Sequence, residues 1–281
     1  MYICIAGGNN IAVQCTDYLL SNKLVSEKDL LVSFNKTDQG IDHFQRSFKK
    51  YCYAKALKET SLHELCDISN LVLISLQYNR IIPVSNFKSR SLFNIHYSML
   101  PKYKGMYTSV WPILNGDETS GVSLHEIDSG IDTGNIVDQA QIAIDCEDTA
   151  RDLYFKYTDC GIALFKKNIM RLLSTGYTAR KQEANGSTYY SRSSLNFSDI
   201  TIDLNKTAFE IKNQIRAFNF REYQIPCIFS HEIVAAEIQD SRTIQTPGSI
   251  LHENEQYIEI ATVDFDLRLI KARQQAVEPH T

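Results

Sequence analysis

The chain has 281 residues, 43% of them hydrophobic and 22% charged, with a formal net charge of −4. That balance excludes a disordered chain, supplies ample core material and offers no global attraction to nucleic-acid phosphates. No uninterrupted apolar run approaches membrane-spanning length, so no membrane partner is expected.

Length favours one large domain with a smaller appendage. Met1-Tyr2-Ile3-Cys4-Ile5-Ala6 lacks a basic leader and runs into Gly7-Gly8, which reads as a first strand and not a signal peptide. A second apolar run, Leu30 to Phe34, ends in Asn35-Lys36-Thr37-Asp38, and two more follow at Leu71 to Leu76 and Ser91 to His96. Between the first two, Ile11, Val13, Cys15, Tyr18, Leu19 and Leu20 predict an amphipathic helix. Short buried strands alternating with helices predict an α/β fold with a Rossmann-like, doubly wound, mostly parallel sheet. Ligands of such sheets collect at the carboxyl ends of the strands.

Thr149 to Leu173 carries apolar residues at helical spacing, from Leu153, Tyr154 and Tyr157 to Ile169 and Leu172, and predicts a long helix or helix pair. The polar stretch Ser174 to Ser198 marks a boundary. We expect a catalytic domain over 1–195 and a small β-rich C-terminal appendage over 196–281. In the appendage a helix from about Ala208 to Phe218 precedes antiparallel strands at Ile228 to Phe229, Ile233 to Ile238, Tyr257 to Thr262 and Leu267 to Lys271. The seven cysteines are scattered without a Cys-x-x-Cys pair, which predicts reduced thiols in a cytoplasmic protein with no metal site.

The chemistry concentrates in Phe93-Asn94-Ile95-His96-Tyr97-Ser98-Met99-Leu100-Pro101, taken with Ile131-Asp132-Thr133-Gly134. Asn94 and His96 are two apart, so a strand puts both side chains on one face. An amide donor and an imidazole aimed at one carbonyl suit acyl transfer. A lone strand histidine is ordinarily structural. Here, though, His96 closes a strand, shares its face with Asn94, and is followed by Asp132 between Gly130 and Gly134. No convincing Ser or Cys nucleophile accompanies them.

Asn94-x-His96-x-Ser98-x-Leu100-Pro101, then His125-x-Ile127 and Asp132-x-Gly134, resembles the folate-dependent formyltransferases in its residues and their spacing. The resemblance covers roughly the first two thirds of the chain and includes Ser187-Thr188-Tyr189-Tyr190. It implies a formyl donor, N10-formyltetrahydrofolate, and a primary-amine acceptor, with no covalent enzyme intermediate. It implies that Asn94 donates to the formyl oxygen, that His96 handles the amine proton, and that Asp132 orients and tunes His96. His125 would support the others. The folate would lie against the main chain of Gln77, Tyr78, Asn79, Arg80 and Ile81, with Gly130 and Asp132 completing that site.

Among these enzymes the chain is most similar to nucleotide-sugar N-formyltransferases, which implies an acceptor such as dTDP-4-amino-4,6-dideoxyhexose for surface polysaccharide (O-antigen) assembly. Gly8, Asn9 and Asn10, at a strand-to-helix turn, are placed to cradle its phosphates. Tyr97, Lys104, Tyr107 and Thr108 follow the catalytic strand and are expected to line the acceptor pocket. The family often has Pro or Gly where this chain has Tyr97. Ile215 to Gln224 resembles the segment such enzymes place beside the acceptor, making Asn219, Phe220 and Tyr223 candidates to stack on its base or reach its sugar. Strands in the tail suit pairing across a two-fold axis, hence a homodimer. Three other readings compete: a methionyl-tRNA formyltransferase with a reduced tail, a non-catalytic folate-binding protein, and a Rossmann dehydrogenase. A tRNA enzyme would show a longer, basic tail. A binding module has no need of all three polar residues, and Gly7-Gly8-Asn9-Asn10 lacks the dinucleotide glycine spacing.

Overall fold

In the computed structural model, which describes residues 1–174 and 176–273, the apolar runs of the first half become strands of a seven-stranded sheet. The chain divides into two compact units. One comprises Met1–Thr108, Thr119–Ala143 and Tyr154–Arg192; the other comprises Ser109–Glu118, Ile144–Leu153 and the residues from Ser193 on.

In chain order the first unit begins β1 (Tyr2–Gly7), α1 (Asn9–Ser21), β2 (Leu30–Phe34), α2 (Phe48–Ala54), β3 (Lys58–Glu59), α3 (Leu62–Cys66), β4 (Leu71–Leu76), β5 (Ser91–His96) and β6 (Lys104–Gly105). Then come α4 (Trp111–Leu114) of the second unit, β7 (Thr119–Glu126), β8 (Ile136–Ala143), the long α5 (Ala150–Leu173) and β9 (Tyr189–Tyr190). The large sheet runs β3-β2-β1-β4-β5-β7-β8. Its first five strands pair in parallel, and β7 and β8 add an antiparallel edge. Every residue of β2 and β4 is buried, as expected for strands covered on both faces.

Strand parity explains the two layers. Cys4, Ala6, Leu71, Leu73 and Leu92 point to one face and pack with Leu62 and Leu65 of α3. On the other face Gly161 of α5 lets helix and sheet close together. A Cβ there would lie 3.0 Å from the Ile11 side chain and 3.4 Å from that of Ile95. Burying these runs at about 25 cal/mol per Å² of apolar surface is what holds the sheet. Asn94 and His96 share the face of Leu92, at the carboxyl edge of the parallel strands.

The second unit continues with α6 (Ala208–Ala217), β10 (Cys227–Ile228), β11 (His231–Ile238), β12 (Ile250–Glu253), β13 (Tyr257–Ile260) and β14 (Leu267–Lys271). Its sheet is antiparallel, in the order β10-β11-β14-β13-β12. A capping box between Thr207 and Glu210 starts α6, whose buried Ala208, Ile211 and Ile215 form its apolar face. Arg216 is buried: Nη1 donates to the carbonyls of Asp145 and Asp148, and Nη2 to Asn213 Oδ1. β12 has no counterpart among the expected strands. It is short and mostly exposed, with two apolar residues followed by two polar ones, so no alternation announces it.

Candidate active site

β5 delivers Asn94 and His96, and the antiparallel β7 delivers the third polar group through its register. Asn94 lies opposite His125, and His96 opposite Ser123. The loop after β7 then turns back. Asp128 staples it by accepting from Gly130 N (3.1 Å) and Thr133 Oγ1 (2.6 Å). Asp132 takes a left-handed conformation, φ 54°, uncommon for a residue with a side chain. Its carboxylate is 13% exposed and reaches all three neighbours.

Asp132 Oδ2 lies 3.5 Å from His96 Nδ1 and accepts from Gly105 N at 2.9 Å. Oδ1 lies 3.5 Å from His125 Nε2 and accepts from Asn94 Nδ2 at 3.3 Å. Burial alone would raise this carboxyl. In their protonated, charged form the imidazoles of His96 and His125, together with the Gly105 amide, outweigh it and hold the group well below the usual carboxylate range.

Partner chemistry fixes the ring protons. His96 Nε2 is 2.9 Å from the Tyr103 carbonyl, which only accepts, so Nε2 carries hydrogen and Nδ1 is the proton-accepting atom. His125 Nδ1 likewise donates to the Glu126 carbonyl at 2.7 Å, leaving Nε2 to accept from Asn94 at 3.1 Å. Both Asn94 amide hydrogens are therefore engaged, one by His125 and one by Asp132. An incoming carbonyl oxygen gains Asn94 as donor by displacing one of these bonds, and the 3.3 Å bond to Asp132 is the longer.

The folate-loop residues follow β4. Gln77 is left-handed (φ 56°), and its carbonyl accepts from Asn35 Nδ2 at 2.9 Å, while Asn79 N donates to Asn35 Oδ1 at 2.8 Å. Tyr78 hydrogen-bonds Ser33 and Arg80 through its hydroxyl. Asn79, Arg80 and Ile81 are exposed, Ile81 at 78%, and so is Gly130.

Several residues expected at the acceptor are engaged otherwise. Tyr97 is a correction: it is 2% exposed, donates to Thr158 Oγ1 and packs on Tyr154 and Tyr157, so it belongs to the core. Gly8 is buried beneath Asn35, whose Nδ2 would lie 2.6 Å from a Cβ at that position. Close packing accounts for this glycine without a phosphate. Asn9 donates to the Tyr154 hydroxyl, and Asn10 Oδ1 accepts from Arg46 N. Lys104 Nζ donates to Ser187 Oγ, and the Thr108 carbonyl accepts from the Tyr157 hydroxyl. Tyr107 is half-buried and left-handed (φ 60°). In the second unit Asn219 and Phe220 are buried, and Asn219 Nδ2 holds the Val234 carbonyl; only Tyr223, 68% exposed, presents its ring.

Sequence reasoning placed Ser187 to Tyr190 within the family resemblance but did not see that this segment braces the site. Tyr103 N donates to Thr188 Oγ1 (2.7 Å), β6 pairs with β9, and Met106 N donates to the Tyr190 carbonyl. The polar stretch taken for a boundary thus fixes the loop that supplies Tyr103 O and Gly105 N to the site. The β-prone Thr188-Tyr189-Tyr190 inside it was the available signal.

Among the described residues no group of three His, Cys, Asp or Glu is placed to hold a metal ion, and no helix is long and apolar enough to cross a membrane. An amide, two imidazoles and a carboxylate at the carboxyl end of a parallel sheet define a proton-transfer site beside a carbonyl-polarising donor, the equipment of an acyl-transfer enzyme.

Comparison with known proteins narrows this class. The formyl transferase family matches residues 20–169, and the formyl transferase C-terminal domain matches residues 195–280. The chain belongs to the formyltransferase family and is a formyl-transferring enzyme. It is similar to WlaRD, a sugar 3N-formyl transferase solved in the presence of dTDP and 5-N-formyl-THF: 43% identity, TM-score 0.91, covering 98% of this chain and 99% of that one. It is similar to the N-formyltransferase of Helicobacter canadensis solved with folinic acid and dTDP-3-aminofucose: 43% identity, TM-score 0.90, covering 97% and 100%. The methionyl-tRNA formyltransferase of Alkaliphilus oremlandii is 27% identical over 285 residues, covering 93% of this chain and 88% of that protein.

Proposed function

We propose that this enzyme transfers the formyl group of N10-formyltetrahydrofolate to the primary amine of a dTDP-linked amino sugar. The observation that carries the acceptor is the similarity, along nearly the whole chain, to two sugar N-formyltransferases. One acts at a 3-amino position and the other was solved with a 3-amino sugar, so they favour an amine at C3 over the C4 amine expected from sequence. The weaker likeness to methionyl-tRNA formyltransferases supports the shared chemistry more than the tRNA acceptor.

The folate donor fits the residues present. Beside the stapled loop, Ile131 is 42% exposed, and Ile81 stands out from the loop after β4, giving apolar surface for a flat heteroaromatic ring. The main chain of Gln77 to Ile81, held by Asn35, would position it, with Gly130 and Asp132 completing the site. When bound, it supplies an electrophilic formyl carbon.

The protein's own groups do the rest. Asn94 exchanges its Asp132 bond for the formyl oxygen and stabilises the charge that develops there as the new C–N bond forms. As that charge collapses, the formyl carbon's bond to N10 of the donor breaks, and N10 leaves as tetrahydrofolate carrying the proton that His96 relays from the amine. His96 takes the amine proton at Nδ1, because Nε2 is committed to the Tyr103 carbonyl. Asp132, already ionised, holds the resulting imidazolium and fixes the ring's orientation. His125 keeps Asn94 aligned.

We place the transfer chemistry in the first unit, and acceptor contact and dimerisation in the second. A homodimer gains support from exposed Ile238, Ile244 and Ile250 of the second unit. A cytoplasmic location suits the free cysteines. The test is incubation with formyltetrahydrofolate and a panel of nucleotide-linked amino sugars and charged initiator tRNA, read by mass spectrometry. One added formyl group on a dTDP-3-amino sugar is expected; formylation of the aminoacyl-tRNA alone would overturn the acceptor.

A further inference from the structure

The strap between α5 and β9 touches the catalytic loop as well as the loop of Tyr103 and Gly105. Arg180 pairs with Ile136 through two main-chain bonds of 2.8 Å at the start of β8. Two residues on, Gln182 Nε2 donates to the carbonyls of both Asp132 and Gly134, each at 2.8 Å. Its Oε1 is buried without a partner among the described residues. The side chain is thus used purely as a double donor. A glutamine serving only to solvate its own turn would satisfy its oxygen as well.

The two carbonyls it holds bracket the special backbone of the site. Asp132 is left-handed, and Gly134 is pressed so close to the end of β7 that a Cβ there would lie 1.8 Å from the Glu126 carbonyl. The Asp128 staple is internal to the loop. Gln182 reaches it from some fifty residues away in sequence, on the same strap that pairs with β6. One segment therefore fixes both the amide that binds Asp132 Oδ2 and the backbone that carries Asp132.

We propose that Gln182 is a positioning residue for formyl transfer: its two amide hydrogens hold residues 132–134 in the turn that aims the Asp132 carboxylate at His96 and Asn94. The proposal rests on the assignment of those three residues to catalysis. Without the tether the loop keeps its internal staple but loses its fixed place, and small displacements of a catalytic group cost rate steeply.

Gln182→Met keeps length and volume and deletes both donors. Steady-state formyl transfer by the full chain should show kcat down about 10- to 100-fold, with KM for the amino sugar within about two-fold and the melting temperature little changed. Its kcat–pH profile should also depart from that of the wild type, because a slackened Asp132 no longer holds the proton-bearing His96 ring as firmly. Gln182→Asn keeps the donors one methylene short, reaches at most one carbonyl and should give an intermediate rate. Wild-type kcat and pH profile in Gln182→Met overturn the proposal, as does a lowered melting temperature with unchanged kcat per folded enzyme. If Gln182→Met does not fold, the same wild-type kcat and profile in Gln182→Asn overturn it. Asp132→Asn is measured alongside. If it is inactive while Gln182→Met is normal, only the tether fails; if it is fully active, the catalytic assignment falls and the tether with it.

Discussion

Asp132 accepts two hydrogen bonds and faces two imidazoles while almost wholly buried. Its depressed proton affinity makes it a stability element as well as a catalytic one. The native group ionises below its unfolded value, so its stabilising contribution is complete above about pH 4–5 and is lost as the pH falls through the folded value. Melting curves of the wild type and Asp132→Asn between pH 3 and 7 should therefore converge toward the acid end and separate above it, the wild type being the more stable. A constant gap would contradict the assignment. For activity, Asn94→Ala should lose about 100-fold or more in kcat while staying folded by circular dichroism; near-normal turnover would remove Asn94 from the reaction. This level was legible in sequence where side chains do the work. The two-residue spacing of Asn94 and His96 and the glycines around Asp132 were visible. Tyr103 O, Gly105 N and the Gln182 tether were not, because main-chain groups carry no residue signature and a lone glutamine in a polar run announces nothing.

The secondary elements answer for how firmly that geometry is held. β5 carries both catalytic side chains on one face, and its other face packs on α5 at Gly161, where an added Cβ would meet Ile11, Ile95 and Tyr97 at 3.0–3.5 Å. Gly161→Val should cost about 1–3 kcal/mol by overpacking, and, because Ile95 lies between Asn94 and His96, should lower kcat more than a surface mutation of equal stability cost. Chemical denaturation with parallel kinetics checks both; a loss of stability with unaltered kcat would show that β5 does not shift. Buried strands and the long helix were legible because their apolar runs and 3.6-residue period dominate their surroundings. β12 was not, since a short, exposed edge strand without alternation exists only through its pairing with β13. Tyr97 misled for a related reason: adjacency to His96 suggested the pocket, whereas strand alternation and the α5 tyrosines draw it inward.

At the scale of the whole molecule, the segments Ser109–Glu118 and Ile144–Leu153 group with the residues beyond Ser193. No composition change marks either, so local sequence could not assign them. The proposed dimer predicts a mass near twice 32.1 kDa by light scattering, falling to that of one chain in an Ile238→Asp/Ile250→Asp variant; a concentration-independent monomer in the wild type would refute it. The central claim is that the residues around Asp132 hand a formyl group to the amine of a nucleotide-linked sugar. Formylation of a dTDP-linked 3-amino sugar, followed side by side with wild-type protein and His96→Ala at equal folded concentration, tests it most directly. The account predicts rapid product formation by the wild type and a rate lower by about 100-fold or more in the variant. No product from the wild type, or equal rates from the two, would contradict it.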